Sequence, residues 1–316
     1  MRSAITAILI LAAAFLTQQS FAQKTKKPAS APAPAETTPV FSAETREVPL
    51  NVTVTDHNGH FVTTLPQTAF QIFESNVLQP IKVFRREDLP VSLCLVVDNS
   101  GSMREKRQAV EAAALALVKD SNPQDESCVI NFNIDAYLDT DFTGDIEKLR
   151  SGLERIDSRG ETAMREALRL GIEHLHDKGK RDKKVVIVVT DGNDNASEFP
   201  IEKLVQLAQK NDILIYAIGL LNDEEKSEAM KAKRALNLLV QSTGGEVYYP
   251  KDLNEVEPIA HQVARDIRNQ YYISYTPTNA ALDGTYRPIK VLVKAAGNPT
   301  PRTRLGYWAK DSSVPQ

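Results

Sequence analysis

Five oxygen-bearing side chains stand at the ends of apolar segments or at the start of an amphipathic one. They are Asp98, Ser100, Ser102, Thr162 and Asp191. Hydroxyl and carboxylate oxygens, with no His or Cys among them, are the donors that Mg²⁺ prefers, with Mn²⁺ and Ca²⁺ as alternatives. The residue types therefore predict a divalent-cation site, provided that the fold brings these five side chains together.

The elements that must position them alternate along residues 90–270. Short apolar runs predict strands at Val91–Val97, Cys128–Phe132, Val185–Val189, Ile213–Ile218 and Glu246–Tyr248. Amphipathic segments predict helices at Met103–Asp120, Thr162–His176, Ile201–Lys210, Glu225–Gln241 and Leu253–Asn269. Repeated strand-helix units predict an α/β fold with a Rossmann-like, doubly wound, mostly parallel sheet. Ligands bind at the carboxyl edge of such sheets, and the five side chains are expected to meet there.

Residues 43–89 and 271–310 are β-rich instead. Period-2 alternation or short apolar runs predict strands at Val48–Thr55, Phe70–Phe73, Ile81–Phe84, Tyr271–Tyr275, Tyr286–Val293 and Arg304–Trp308. Either end alone has too few strands for a stable sandwich, whereas both together supply about seven. We therefore predict a small immunoglobulin-like β-sandwich built from both chain ends, with the α/β domain of residues 90–270 inserted into it.

Residues 1–22 have the pattern of a secretory signal peptide. Arg2 provides the positive start, Ala4–Leu16 is almost entirely apolar, and Ser20-Phe21-Ala22 predicts cleavage after Ala22. The apolar run of about 13 residues is shorter than the roughly 20 that span a bilayer. A Pro/Ala-rich linker is expected at 23–42 and a short tail at 311–316. These features predict a secreted or periplasmic protein without a membrane span.

Composition restricts the classes of function. The chain has 316 residues, of which 42% are apolar, and a formal net charge of −3, which argues against a nucleic-acid partner bound by phosphate neutralisation. Cys94 and Cys128 are the chain's two cysteines, too few for a disulfide framework, and both fall in predicted strands. They are expected to be thiols in the core.

Asp98-x-Ser100-x-Ser102, Thr162 and Asp191 resemble the complete metal-ion-dependent adhesion site (MIDAS) of von Willebrand factor type A (VWA) domains. The resemblance covers roughly residues 90–270, and Glu161 is a departure because a second Gly is usual there. It implies that the hydroxyls bind the metal, that the aspartates bind it directly or through water, and that one position stays open for an acidic residue of a partner. The flanking β segments and the export signal are similar to those of bacterial VWFA-related secreted proteins known mainly from Acidobacteria.

These observations predict a secreted, metal-ion-dependent protein-binding or adhesion module and not an enzyme. The expected partner is a protein with an exposed Asp or Glu; the oligomeric state is not predicted. One alternative is a phosphatase-like metal-dependent hydrolase, although Ser100 stands where haloacid-dehalogenase-type phosphatases carry their second Asp. Another is a structural scaffold with a non-functional metal site. The helix at Leu253–Asn269 leads directly into Tyr271–Tyr275, and the resemblance implies that this helix could relay ligand binding to the β domain.

Overall fold

The computed structural model describes residues 47–86, 88–154 and 158–309. The strands in these ranges are β1 Val48–Thr55, β2 Phe70–Glu74, β3 Val77–Gln79, β4 Ile81–Arg85, β5 Val91–Asp98, β6 Glu126–Phe132, β7 Ala136–Thr143, β8 Lys183–Thr190, β9 Leu214–Gly219, β10 Val247–Tyr248, β11 Tyr271–Tyr275, β12 Tyr286–Val293, β13 Thr300–Arg302 and β14 Gly306–Trp308. The α-helices are α1 Arg107–Lys119, α2 Ile146–Leu153, α3 Met164–Lys178, α4 Ile201–Lys210, α5 Lys226–Thr243 and α6 Val256–Arg268.

The predicted signal peptide (1–22), linker (23–42) and tail (311–316) lie outside the described residues. Within the described ranges, no helix combines the length and the apolar character needed to cross a membrane. The boundaries predicted at 89/90 and 270/271 stay predictions, because the described residues between 47 and 309 cluster as one unit.

The central sheet has six strands in the order β10-β9-β8-β5-β6-β7. Neighbouring strands are parallel except for β7, which pairs with β6 in the antiparallel direction. Every residue of β5 is buried, as expected for an apolar strand covered on both faces. The predicted α/β fold with a mostly parallel sheet is therefore confirmed.

Helices cover both faces of this sheet. On one face, α1, α2 and α6 pack through residues such as Val110, Leu149 and Val263. On the other, α3, α4 and α5 pack through residues such as Leu168 and Leu204. Each helix buries one apolar stripe against the sheet, and this packing holds the carboxyl ends of the strands in place.

Strands from both chain ends form two further sheets, in the orders β13-β1-β11-β4 and β14-β12-β2-β3. The N-terminal β1 pairs with the C-terminal β11, and β2 pairs with β12. Apolar side chains of the two sheets share one core, which includes Leu50, Ile72, Tyr271 and Val291. The expectation that the two chain ends complete each other's β structure is therefore confirmed, with eight strands in the described ranges and not seven.

Two sequence expectations about the α/β region are wrong. The strand β7 and the helix α2 follow β6 where no element is predicted. In addition, Cys94 and Cys128 form a disulfide and are not thiols. They lie directly opposite each other on β5 and β6, with Cα atoms 4.8 Å apart, within the usual range for a disulfide. A separation of 34 residues in sequence does not reveal this pairing.

Candidate metal centre

The candidate site begins at the carboxyl end of β5. Asp98, the last residue of that strand, is fully buried. Its Oδ1 accepts a hydrogen bond from the Ser100 N–H at 2.8 Å, and its Oδ2 accepts one from the Thr190 hydroxyl at 2.6 Å. Burial raises the pKa of Asp98 to about 6, against the opposing effect of these hydrogen bonds. The carboxylate is therefore held in one orientation in an environment that lacks compensating charge.

Ser100 and Ser102 join this turn to the end of β8. Their Oγ atoms are 3.2 Å apart, and the Ser102 hydroxyl donates to Asp191 Oδ1 at 2.8 Å. Asp191 follows β8 directly and is fully buried, whereas Ser102 is exposed. Because β5 and β8 are adjacent and parallel, residues that follow them come together at the same edge. Four of the five predicted side chains are thereby linked.

The loop that carries Thr162 lies against the same turn. The Gly101 N–H donates to Gly160 O at 3.4 Å, and the Arg159 N–H donates to Asn99 O at 3.3 Å. Gly160 has φ +75°, a left-handed backbone that glycine adopts without strain. Thr162 itself is buried, and among the described residues no hydrogen bond joins its hydroxyl to the other four predicted ligands. The loop is thus held against the turn by these backbone bonds and by the Ser158 hydroxyl, which donates to Asn99 Oδ1 at 3.1 Å.

A second loop fixes Thr162 from the β8 side. Asn195 Oδ1 accepts from the Thr162 N–H at 2.8 Å, and the Asn195 N–H donates back to Thr162 O at 3.1 Å. Asp194 accepts from the Arg165 N–H at 2.8 Å and so caps the first turn of α3. These bonds tie the start of α3 to the segment that follows Asp191. Asp194 is therefore a structural residue of the loop, with its side chain 5% exposed.

Two basic residues beside the site, Lys106 and Arg107, are held in place by contacts with the ends of β5 and β8. The Lys106 Nζ lies 2.8 Å from Asp191 Oδ2, and its side chain is 11% exposed. Arg107 is buried and donates to Asp98 O at 3.4 Å and to Leu153 O at 2.5 Å. Sequence reasoning missed both, because a charged residue near a helix start is solvated by default. The signal for Lys106 was its place one helical turn beyond Ser102.

The donor set fits a hard divalent cation. Three hydroxyls and two carboxylates occupy one edge of the sheet, which is the oxygen chemistry that Mg²⁺ requires. No group of three or more His, Cys, Asp or Glu side chains suited to a metal occurs in the described ranges. A site built from two carboxylates and neutral hydroxyls is compatible with that finding. Metal binding by these five residues stays a prediction.

Comparisons with known proteins agree with this architecture. Residues 93–193, which include all five predicted ligands, match the family model of the von Willebrand factor type A domain. An uncharacterized protein of Synechocystis sp. is 26% identical over 68% of this chain, which spans about half (50%) of that relative's length.

Two solved structures share the fold. A von Willebrand factor type A protein from Catenulispora acidiphila is 14% identical, with a TM-score of 0.51 over 84% of this chain and 75% of that chain. Proximal thread matrix protein 1 from the mussel byssus is 17% identical, with a TM-score of 0.51 over 61% of this chain and 49% of that chain. Residues 93–193 thus match the von Willebrand factor type A family, and the sheet topology and the two solved structures show that the α/β region has the fold of such domains.

Proposed function

We propose that this protein is a secreted binding module whose five-residue site holds Mg²⁺ and accepts an acidic side chain of a protein partner. The observation that carries the proposal is the hydrogen-bonded group of Asp98, Ser100, Ser102 and Asp191 beside the Thr162 loop. VWA domains are typically protein-interaction modules. The mussel protein with the same fold is described with a zinc-occupied MIDAS motif, which supports a metal at the equivalent edge here.

The residues that surround the site favour an anion as the incoming group. A bound Mg²⁺ supplies Lewis acidity toward a carboxylate oxygen, and hydroxyl ligands compensate little of its charge. Ser102 is exposed, so the site opens to the surface on its side. The Ser102 hydroxyl donates its hydrogen to Asp191 and accepts from Ser100, which leaves one lone pair for a metal. An acidic side chain of a partner would complete the coordination.

Export is supported by a second feature besides the predicted signal peptide. The Cys94–Cys128 disulfide lies in the centre of the sheet, where both residues are fully buried. Disulfides form and persist in the periplasm and outside the cell, and they are rare in the reducing cytosol. A disulfide here favours the secreted or periplasmic location.

The hydrolase alternative gains no support from the described residues. Ser100 Oγ contacts Ser102 Oγ, and the buried ammonium near the site is engaged by Asp191. A serine hydroxyl does not exchange protons near neutral pH as a second carboxylate does. We therefore propose binding and not turnover.

The first test measures the metal. Isothermal titration with MgCl₂ should show one site in the wild-type chain and at least about a 100-fold weaker one in the Ser100→Ala/Ser102→Ala double variant. Ser151→Ala is the matched control, because Ser151 is exposed on α2 and bonds within its own helix. A wild-type chain that binds neither Mg²⁺ nor Mn²⁺ would refute the proposal.

The second test measures the partner. The tagged mature chain is incubated with proteins of the cell envelope and the culture medium, in Mg²⁺ or in EDTA. A partner that is captured in Mg²⁺, lost in EDTA and lost with Asp98→Ala supports the proposal. Equal capture in all three conditions contradicts it, and metal-dependent turnover of a phosphatase or esterase substrate would favour the hydrolase.

A further inference from the structure

Lys106 lies beside the candidate site, between the turn that carries the two serines and the start of α1. Its Nζ is 2.8 Å from Asp191 Oδ2 and 3.2 Å from Asp223 Oδ2. The Asp223 side chain is 78% exposed, so water already compensates much of its charge. Asp191 is fully buried and has no such compensation. The ammonium of Lys106 therefore acts mainly on Asp191.

Both oxygens of Asp191 are engaged in this arrangement. Oδ1 accepts from the Ser102 hydroxyl at 2.8 Å, and Oδ2 faces Lys106. The Ser102 hydroxyl and the Lys106 ammonium therefore contact different oxygens of the same carboxylate. The positive charge of Lys106 thus compensates the negative charge of Asp191 at Oδ2, the oxygen that does not accept from Ser102.

The charge that remains for a metal follows from these contacts. Asp98 and Asp191 are the two carboxylates of the site; the Lys106 ammonium contacts Asp191, and the buried Arg107 guanidinium donates to the backbone oxygen of Asp98. A further positive charge at the site would bind more weakly with Lys106 present than without it.

We propose that Lys106 is an internal counter-cation that lowers the affinity of the site for Mg²⁺ and so leaves the metal dependent on a carboxylate from the partner. This inference rests on the proposed function, because it assumes that the site binds Mg²⁺. It makes Lys106 a positioning residue and not a ligand. Loss of its charge should tighten metal binding, whereas loss of a merely structural contact should not.

The test titrates MgCl₂ alone, at constant ionic strength, into the wild-type chain and three variants. Lys106→Met removes the charge and should lower the Kd for Mg²⁺ by about 10-fold or more. Lys106→Arg keeps the charge and should stay close to wild type. Lys119→Met is the matched control, because Lys119 is exposed at the end of the same helix and should leave the Kd unchanged.

Thermal melting in EDTA provides the second readout. Without metal, Lys106→Met should melt below wild type, since Asp191 loses its cation, and saturating Mg²⁺ should recover more stability than in wild type. If Lys106→Met does not fold, Lys106→Gln retains a hydrogen-bond donor without the charge and replaces it. An unchanged or weaker Mg²⁺ affinity in the uncharged variant overturns this inference alone, whereas absence of Mg²⁺ binding in wild type overturns the proposed function.

Discussion

Glu74 and Asp191 are both buried carboxylates, but they lie in different parts of the molecule and have different partners. Glu74, in the β-sandwich, accepts from the hydroxyls of Tyr275 at 2.7 Å and Tyr307 at 2.9 Å. Its other oxygen faces the buried guanidinium of Arg287 at 3.3 Å. Asp191 lies at the edge of the central sheet, where a hydroxyl and an ammonium contact it beside the exposed Ser102.

The surroundings of these two carboxylates suit different roles. Glu74 has the contacts of a charge that stabilises the fold, whereas Asp191 has those of a charge that could bind an ion. Burial, together with the hydrogen bond to Glu74, raises the pKa of Tyr275, so its hydroxyl remains a donor. The negative charge of Glu74 is compensated inside the protein by Arg287, which also lies 3.8 Å from the more exposed Asp283, and no further ion is needed. At the sheet edge the Lys106 ammonium contacts Asp191, the Arg107 guanidinium lies at the backbone of Asp98, and the exposed Ser102 hydroxyl opens this group of charges to the surface. Only the second arrangement is suited to an added cation.

The largest expected effect tests the enclosed cluster. Glu74→Ala leaves the Arg287 guanidinium buried without its carboxylate, and this should lower the free energy of unfolding by about 3–5 kcal/mol. Urea denaturation followed by circular dichroism measures the change. Mg²⁺ affinity of the folded variant should not change, because Glu74 and the candidate site lie in different sheets.

Glu202→Ala is the control for this variant, since Glu202 is exposed on α4. It should change the free energy of unfolding by less than about 0.5 kcal/mol. If Glu74→Ala lowers the free energy of unfolding by no more than this control does, the Glu74 carboxylate is not the anion that compensates Arg287. Glu74 would then not be the structural charge of this comparison.

A smaller effect concerns Lys183, a buried cation whose Nζ donates to the Ile267 carbonyl near the end of α6. Burial lowers the pKa of Lys183 from 10.5 to about 8, against the opposing effect of Asp266. Between these two values the unfolded chain binds more protons than the folded one. Stability contributed by this group should therefore rise with pH through that window and be constant below it.

The measurement compares wild type with Lys183→Met by urea denaturation across that pH window. The difference in the free energy of unfolding should shift by about 3 kcal/mol in favour of wild type as the pH rises. A pH-independent difference would show that Lys183 titrates as an exposed lysine. Burial alone would then not identify the charged groups of this protein whose pKa values are shifted.

The smallest effect is expected at an exposed ion pair. Arg169 and Glu173 face each other across one turn of α3 at 3.2 Å, with side chains 41% and 46% exposed. Glu173→Gln should lower the free energy of unfolding by less than about 0.5 kcal/mol, because water screens such pairs. A loss above about 1 kcal/mol in the same denaturation assay would show that exposure does not separate weak pairs from strong ones in this protein.

Strong periodic patterns explain why most of the α/β core could be predicted from sequence. β5 and β8 are nearly continuous apolar runs, and their C-terminal polar residues mark where each strand ends. The strand β7 was missed because Asp139 and Asp141 interrupt its apolar alternation at the edge of the sheet. The helix α2 was missed because it has only 8 residues, although Asp145 caps its first turn.

For the candidate site, the five oxygen-bearing residues could be predicted from the sequence, but the contacts of the charged residues beside them could not. Lys106 and Arg107 follow the turn like any solvated helix start; the spacing from Ser102 places Lys106 near the site, but it does not identify Asp191 as the partner of Lys106 or Asp98 as the partner of Arg107. Those contacts depend on how β5 and β8 are placed side by side. Local sequence patterns do not identify Asp191 as the partner of Lys106, because the two residues are 85 positions apart in the chain.

The sequence alone determined which segments are strands and helices, and which oxygen-bearing residues follow the strands, because these depend on local periodicity and on short motifs. The tertiary structure decided which charges are buried, that the two cysteines form a disulfide, and which carboxylates contact a cationic side chain. Burial and pairing depend on strand register across the sheet, and register is set by the packing of the whole core.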